Sequence, residues 1–152
     1  MNNINVKVKK VHPDAIVPQY AHPTDAGLDL TAVSKEYSKG VYTYHTGLAF
    51  EIPEGYVGLI FPRSSCYKQD LWQTNSVGVI DSAYRGEVMF KFKNVVTQMT
   101  DEEIASWNPT IWNVGDRIGQ LIILPYPSVT LEEVDELSDS DRGTGGFGST
   151  GK

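Results

Sequence analysis

The chain has 152 residues, of which 40% are hydrophobic and 21% are charged, and its formal net charge is −6. This length suits one domain, and the hydrophobic content excludes disorder for most of the chain. The acidic balance argues against general nucleic-acid binding, because no surplus of Lys and Arg exists to displace counterions from a phosphate backbone.

Three further features concern location. Cys66 is the single cysteine, so an intrachain disulfide is excluded and a reducing compartment is favoured. No apolar run approaches the roughly 20 residues of a membrane-spanning helix. Residues 1–4 carry neither the basic nor the apolar region of a secretory signal. The sequence therefore predicts a cytoplasmic protein (in the host cell, for a viral source) without a membrane partner.

Short strands dominate the predicted secondary structure. Apolar and polar residues alternate with a period of two, and 14 glycines and eight prolines interrupt them at close intervals. We expect strands at residues 6–9, 41–46, 56–61, 88–93 and 121–124. The one predicted helix has Thr100 as its N-cap and an acidic first turn, and it ends near Trp107, before Pro109. These elements predict an all-β barrel or sandwich.

Two polar clusters adjoin the first predicted strands. Asp29 stands inside the apolar stretch 26–30, where it could be a turn or capping residue or a ligand of a metal or a water. Arg63, Ser64 and Ser65 follow the 56–61 strand. A guanidinium fork beside hydroxyl groups suits phosphate, although the same residues could form a plain loop.

Residues 75–87 predict a β-hairpin, with two strands joined by a turn. Asp81 follows the run Gly78-Val79-Ile80 and is therefore the best candidate for a buried carboxylate. Further on, Asp116 and Arg117 precede the 121–124 strand and could pair with each other across a turn.

The segment 138–152 contains almost nothing to bury except Phe147. It could be a disordered tail or an arm that orders over a ligand, because glycine backbone amides and hydroxyl groups can surround an anion. Residues 146–152 also spell G-x-x-x-x-G-K, most of a P-loop, but the Ser or Thr and the helix that a P-loop requires do not follow the lysine. The sequence therefore argues against a P-loop.

Together, the order and spacing of these clusters resemble the five motifs of the trimeric all-β dUTP diphosphatase (dUTPase) family. The resemblance extends from the motif at 26–30 to the glycine-rich motif at 142–151, and its highly specific parts are that last motif and the stretch from Gly78-Val79-Ile80-Asp81 to Tyr84-Arg85-Gly86. It implies a jelly-roll-like β-barrel (dUTPase-like, β-clip) at residues 1–137. It further implies a flexible glycine-rich arm at 138–152 that closes the active site, and a homotrimer with shared active sites.

The same resemblance implies an activity. With Mg2+, dUTP and water would give dUMP and diphosphate, which limits uracil incorporation into DNA and supplies dUMP for thymidylate synthesis. By analogy, Asp81 holds and activates the water that attacks the α-phosphorus, and Asp29 serves the metal through water. The expected substrate-binding residues are Arg63, Ser64, Ser65, Asn75, Val79, Ile80, Asp81, Tyr84, Met89, Gln120, Arg142, Phe147, Gly148, Ser149 and Thr150.

Each part of dUTP has an implied set of partners. Tyr84 would pack on the deoxyribose and leave no room for a 2′-hydroxyl. The uracil edge would be read by Asn75, the backbone of 79–81 and Met89. The phosphates would be held by Arg63, Ser64, Ser65 and Gln120. The arm would close the site, with Arg142, Ser149 and Thr150 on the γ-phosphate and Phe147 stacked over uracil.

Two departures from the family pattern and three alternative functions remain. Ser65 stands where the second motif usually has glycine, and Cys66 follows it. The stretch 97–113, with Trp107 and Trp112, is longer than the family's turn and predicts a packed surface helix or a partner contact. The related dCTP deaminase would lack the glycine-rich arm, a nucleotide-responsive binding or signalling protein would have lost Asp81 or the arm, and a structural jelly-roll protein would not explain the motif order.

Overall fold

The computed structural model describes residues 3–95 and 100–146. This part of the chain contains nine strands, one α-helix and one 3-10 helix. The strands are β1 (Lys7–Lys10), β2 (Leu28–Thr31), β3 (Ser34–Ser38), β4 (Val41–Glu51), β5 (Tyr56–Phe61), β6 (Leu71–Gln73), β7 (Gly78–Ile80), β8 (Glu87–Asn94) and β9 (Arg117–Pro125). The helix α1 is Asp101–Ser106, and the 3-10 helix is Ser64–Lys68.

The strands form two antiparallel sheets. One has the order β1–β4–β8–β6, with β3 also paired to β4, and the other has the order β2–β9–β5–β7. The 11-residue β4 pairs with two strands in succession, with β3 along residues 41–45 and with β1 along residues 48–51. The predicted all-β architecture is confirmed, and each predicted strand lies within or overlaps an observed one.

Both sheets contribute to one hydrophobic core. Phe90 and Phe92 on β8 and Ile60 and Leu121 on the other sheet are at most 1% exposed. Gly119 on β9 lets the two sheets approach closely, because a Cβ at this position would overlap the Phe90 ring. The period-two alternation read from the sequence is therefore the alternation between this core and the outer faces of the sheets.

The predicted hairpin at 75–87 is wrong in its pairing. β7 and β8 are strands joined by a turn, but β7 pairs with β5, and β8 pairs with β4 and β6 in the other sheet. Ile80 and Val88 both reach the core, from opposite sheets. The turn between the two strands therefore crosses from one sheet to the other, which a hairpin would not do.

Helix α1 lies between β8 and β9, where the sequence predicts a helix. Its start is a capping box, in which the Glu103 carboxylate accepts a hydrogen bond from the Thr100 N–H at 2.7 Å and Thr100 Oγ1 accepts from the Glu103 N–H at 3.3 Å. The cap lowers the pKa of Glu103, chiefly through the hydrogen bond from the Thr100 backbone. Within the described ranges, no helix has the length and apolar character needed to cross a membrane.

Asp70 fastens both ends of the segment that carries α1. Its carbonyl accepts a hydrogen bond from the Val95 N–H at 2.9 Å, its N–H donates to the Thr110 carbonyl at 2.8 Å, and its carboxylate accepts from the Thr110 N–H at 2.7 Å. Just beyond, Trp112 is only 6% exposed, and its carbonyl accepts from the Tyr44 hydroxyl at 2.9 Å. Trp112 therefore belongs to the core and not to a surface helix.

Candidate active site

Two arginines share one carboxylate on the outer face of β2. Asp29 Oδ1 accepts a hydrogen bond from Arg63 Nε at 2.9 Å, and Asp29 Oδ2 accepts from Arg117 Nη1 at 3.0 Å. We call these three residues the arginine cluster. Two guanidinium groups and one carboxylate leave one net positive charge, and Arg117 is 57% exposed. The cluster therefore suits an anion such as phosphate.

Contacts from two strands hold the Arg63 segment in place. Arg63 follows β5 and precedes the 3-10 helix, and its Nη1 lies 3.4 Å from Ser65 Oγ. Gln120 on β9 donates a hydrogen bond to the Pro62 carbonyl at 3.0 Å. Gly27 makes room for this contact, because a Cβ there would overlap the Gln120 amide. The structure thus brings together Arg63, Ser65 and Gln120, and the exposed Ser64 lies on the same segment.

Arg117 is the member of this cluster that sequence reasoning missed. Asp116 and Arg117, which could have paired across a turn, have different partners: Asp116 Oδ2 accepts a hydrogen bond from the Asn113 N–H at 2.6 Å, and Arg117 reaches Asp29. Asp29 is also neither a turn nor a capping residue, since it lies within β2. The antiparallel pairing of β2 with β9 is the signal that would have found this contact, because it places Thr31 opposite Arg117.

A cleft lies beside the arginine cluster and could receive a ligand. Its volume is about 770 Å³, and Asp29, Arg117 and Gln120 line one wall. The residues that the structure describes contain no group of three or more His, Cys, Asp or Glu side chains able to hold a metal. Asp29 fits a metal role through bound water, because each of its oxygens accepts one arginine hydrogen bond and keeps a lone pair, and its side chain is 26% exposed.

The turn between β7 and β8 presents the predicted catalytic carboxylate. We call residues 81–86 the Asp81 turn. Asp81 is exposed in the single chain, so the expectation of a buried carboxylate is wrong: β7 ends with Ile80 facing the core, and the chain leaves the sheet at the next residue. Tyr84 is better fixed, because its hydroxyl donates to the Glu87 carbonyl at 3.1 Å and its ring lies where a Cβ of Gly86 would be.

The strand β7 offers unpaired backbone groups next to this turn. It is the terminal strand of its sheet within the described chain, so one row of its N–H and C=O groups faces away from β5 without a strand partner. Val79 points outward and is 61% exposed, whereas Ile80 is 9% exposed. Before β7, the Asn75 amide donates to the Met89 carbonyl and accepts from the Lys91 N–H, both at 3.0 Å.

A charged pair adjoins the Asp81 turn. Lys7 on β1 donates a hydrogen bond to Glu51 at the end of β4 at 2.7 Å. This bond and the charge of Lys7 lower the pKa of Glu51, and Arg85 of the Asp81 turn adds a smaller contribution. Both partners are well exposed, so the pair contributes little to stability.

The arginine cluster and the Asp81 turn meet β5 at different ends. Ile80 pairs with Gly58, whereas Gln120 pairs with Phe61. Gly58 and Phe61 are three residues apart along β5, or about 10 Å. Asp81 follows Ile80 and lies past Gly58 towards the start of β5, whereas Arg63 lies past Phe61 at the end of β5. Within one chain, the predicted phosphate-binding residues Arg63 and Gln120 therefore lie apart from the predicted catalytic Asp81 and the predicted sugar-binding Tyr84.

The predicted arm is described only in its first part. Arg142 is exposed, and its Nε donates a hydrogen bond to the Gly145 carbonyl at 2.8 Å, so its described contact stays within the arm. The residues expected to close over the substrate lie outside the described residues, and their roles stay predictions. They are Phe147, Gly148, Ser149 and Thr150.

Comparisons with known proteins agree on one family. The sequence model of the dUTPase family matches residues 13–151. The chain is 42% identical over 151 residues to the deoxyuridine 5′-triphosphate nucleotidohydrolase of Thermobifida fusca, which covers 97% of this chain and 79% of that protein. It is also similar to the structure of a mutant dUTPase of Staphylococcus bacteriophage 80alpha with dUpNHpp, with a TM-score of 0.80 and 28% identity over 99% of this chain and 100% of that chain. A mutant dUTPase from phage phi11 of S. aureus, reported with a structural Mg(II) ion, has a TM-score of 0.69 and 25% identity over 88% of this chain and 98% of that chain.

Proposed function

This chain belongs to the dUTPase family, whose members hydrolyse dUTP to dUMP and diphosphate, and we propose that it carries out this reaction at a site assembled from more than one copy of the chain. The separation along β5 carries this proposal. The arginine cluster has cations for the phosphates, but its one carboxylate is paired, whereas the Asp81 turn has an exposed carboxylate that pairs with no other side chain of the described residues. A second copy that brings its Asp81 turn to the arginine cluster of the first would complete the site.

The outer face of the β2–β9–β5–β7 sheet supports a contact between copies. Val79 on β7, Leu59 on β5 and Ile122 on β9 are register partners and form one apolar row across this face. In the next row, Val57 lies opposite Leu124, which is 44% exposed. Exposed apolar rows of this kind are typical of subunit interfaces, and a closed ring of three copies would cover all of them. We therefore propose a homotrimer.

The arginine cluster would bind the triphosphate. A chain with a net charge of −6 repels this ligand as a whole, so cations must be supplied locally. The Arg63 side chain is held by its contacts with Asp29 and Ser65. Arg117 keeps exposed donors for phosphate oxygens. Because these groups are already in place before the ligand arrives, little reorganisation accompanies binding. Ser64, Ser65 and Gln120 would complete this half of the site.

Asp81 would act on the attacking water. Its carboxylate would hold the water in line with the α-phosphorus and accept a proton as the new O–P bond forms. The bond from the α-phosphorus to the bridging oxygen then breaks, and diphosphate leaves. An aspartate carboxylate is a weak base at neutral pH, so its main contribution is orientation of the water.

The metal role fits the same half of the site as the phosphates. Mg2+, when bound, supplies positive charge that offsets the phosphate oxygens. Asp29 would hold it through water, because both of its oxygens keep a lone pair beside the arginine hydrogen bonds. Two observations support this assignment, namely the placement of Asp29 beside the cleft and the structural Mg(II) ion of the phage phi11 relative.

The Asp81 turn and β7 would recognise the nucleoside. The Tyr84 ring would lie on the deoxyribose and exclude a 2′-hydroxyl. The open backbone edge of β7 at Val79 and Ile80 offers both donors and acceptors for the uracil edge, with Asn75 and Met89 behind it. The arm at 138–152 would close over the substrate and leave 1–137 as the barrel, with Arg142, Phe147, Gly148, Ser149 and Thr150 as its contacts.

The reaction can be tested with a panel of nucleoside triphosphates in water labelled with heavy oxygen. We expect dUTP to give dUMP and diphosphate, with the label in dUMP, and we expect UTP, dTTP and dCTP to react poorly. Label in the diphosphate would contradict attack at the α-phosphorus. Released orthophosphate or ammonia would contradict the assigned reaction.

The shared site can be tested by subunit mixing. Asp81→Asn chains keep the arginine cluster, and Arg63→Ala chains keep Asp81, so each pure protein is expected to be inactive. In trimers formed at random from equal amounts, about a quarter of the sites would combine an intact Asp81 with an intact Arg63 if the two come from different chains. Background activity in verified mixed trimers would refute the shared site and leave the dUTPase assignment standing.

A further inference from the structure

Glu87, the first residue of β8, binds two groups of β4 at once. Its Oε1 accepts a hydrogen bond from the Gly47 N–H at 2.7 Å, and its Oε2 lies 2.9 Å from His45 Nδ1. Because a carboxylate accepts only, His45 Nδ1 carries the proton of the second bond. The side chains of Glu87 and His45 are 23% and 28% exposed. The carboxylate is therefore partly buried and fastened to β4 at both oxygens.

A bulge in β4 explains why a side-chain acceptor is needed here. His45 pairs with Met89 and Ala49 pairs with Glu87, so four steps along β4 match two steps along β8. Gly47 lies in this bulge with a φ of 68°. Its N–H is turned away from the regular ladder, and the Glu87 carboxylate supplies the acceptor that this N–H requires.

The backbone of Glu87 also ends the Asp81 turn. The Tyr84 hydroxyl donates a hydrogen bond to the Glu87 carbonyl at 3.1 Å. At its other end, the turn is fixed by the pairing of Ile80 with Gly58 on β5. The position of the Tyr84 ring therefore depends on a residue whose own side chain is fastened to β4.

We propose that Glu87, held by His45 and Gly47, is a positioning residue that fixes the Tyr84 ring and thereby sets the preference for deoxyribose over ribose. This role rests on the proposed function, in which Tyr84 faces the sugar. Loss of the carboxylate leaves the Gly47 N–H without its partner and frees the start of β8. The Tyr84 ring can then tilt, which makes room for a 2′-hydroxyl.

The test compares kcat and KM for dUTP and UTP in wild type, Glu87→Ala, Glu87→Gln and Thr46→Val. Thr46 is the matched control, because its hydroxyl donates a buried 2.6 Å hydrogen bond to the Val88 carbonyl in the same bulge. Thr46→Val thus weakens the same strand pair without removing the Glu87 contacts. We expect Glu87→Ala to lower the ratio of kcat/KM for dUTP to that for UTP about threefold, within the size of one hydrogen bond.

Glu87→Gln and Thr46→Val distinguish the proposal from a general loss of stability. Glu87→Gln should keep most of the ratio, because its amide oxygen can accept from the Gly47 N–H and its amide NH2 can donate to Nδ1 of the other neutral His45 tautomer, so both anchors survive. Thr46→Val should lower the melting temperature and keep the wild-type ratio. An unchanged ratio in folded Glu87→Ala overturns the proposal, and so does a ratio in Thr46→Val that falls as far.

Should Glu87→Ala not fold, His45→Ala decides, because it removes one of the two anchors and leaves the Gly47 bond. A lower ratio is expected there, and an unchanged one overturns the proposal. The measurements separate a failure of the proposed function from a failure of the role of Glu87. A wild-type protein that does not hydrolyse dUTP overturns the proposed function, whereas strong preference for dUTP that persists in Glu87→Ala overturns only the role of Glu87.

Discussion

The arginine cluster and the Asp81 turn are prepared for their ligand in different ways. In the arginine cluster, both oxygens of Asp29 accept hydrogen bonds from guanidinium groups, so the Asp29 charge is matched before any ligand binds and one positive charge remains for the ligand. In the Asp81 turn, the Asp81 carboxylate is exposed and Arg85 donates to backbone carbonyls of the turn. A binding group can thus be satisfied within one chain, whereas a carboxylate that must act on water has to stay unpaired until the substrate is present.

The largest expected effect follows from removing the exposed Asp81 carboxylate. Asp81→Asn should lower kcat about a thousandfold, because the water loses both its proton acceptor and its orientation. Affinity for a non-hydrolysable dUTP analogue should change little, since the phosphate contacts lie in the arginine cluster. Steady-state kinetics and calorimetric titration measure the two quantities. A variant that keeps a tenth of the wild-type kcat would refute the catalytic assignment.

Removal of the arm should lower the activity toward dUTP and leave the stability of the barrel unchanged. A chain that ends before Arg142 should lose about a hundredfold in kcat/KM, because the γ-phosphate loses a cation and water enters the site. Its melting temperature without ligand should stay close to that of the full chain, because the described part of the arm is largely exposed. A large fall in that melting temperature would show instead that the arm stabilises the barrel.

Within the arginine cluster, the two arginines should differ in importance. Arg63→Lys should lower kcat/KM for dUTP about tenfold, because an ammonium group cannot reproduce the contacts of Nε and Nη1 with Asp29 and Ser65. Arg117→Lys should cost about threefold, since this side chain is more exposed and makes one contact with Asp29. Kinetics at constant ionic strength compare the two, and equal losses would contradict the ranking.

The smallest effect concerns the hydroxyl of Tyr84. Tyr84→Phe keeps the ring but removes the hydrogen bond to the Glu87 carbonyl, so the preference for dUTP over UTP should fall about threefold. Tyr84→Ala removes the ring and should lower this preference further. Competition between the two nucleotides measures both variants. An unchanged preference in Tyr84→Ala would assign the ring a structural role only.

Local sequence patterns predicted the elements of this fold well. Period-two alternation located β1, β4 and β8, short apolar runs located β5 and β9, and Thr100 with the acidic residues after it located α1, whereas β3 and β6 were not predicted. The pairing between elements was harder to predict, because it depends on contacts distant in sequence. β7 and β8 read as a hairpin because they are close in the chain, yet Ile80 and Val88 reach the core from different sheets.

In the candidate site, too, individual residues were predicted better than the contacts between distant segments. Motif order pointed to Arg63, Gln120, Asp81 and Tyr84, and the structure places Arg63 beside Gln120 and Asp81 beside Tyr84, at two separate places in one chain. For Arg117 the sequence offered only a possible pair with its neighbour Asp116, because the contact with Asp29 arises from the pairing of β2 with β9. The exposure of Asp81 was also unforeseen, since an apolar run before an acidic residue does not show where the sheet ends.

The attachment at Asp70 has a consequence for how this chain can be altered. Because Val95 and Thr110 are both bonded to Asp70, the chain leaves and rejoins the barrel at a single point. The entropy of closing a loop grows slowly with its length, by about 0.6 kcal/mol per doubling. The intervening stretch could therefore be exchanged for a longer peptide or a foreign domain with adjacent termini. Such a graft would leave the register of the sheets unchanged, which makes this position a natural place to attach a reporter.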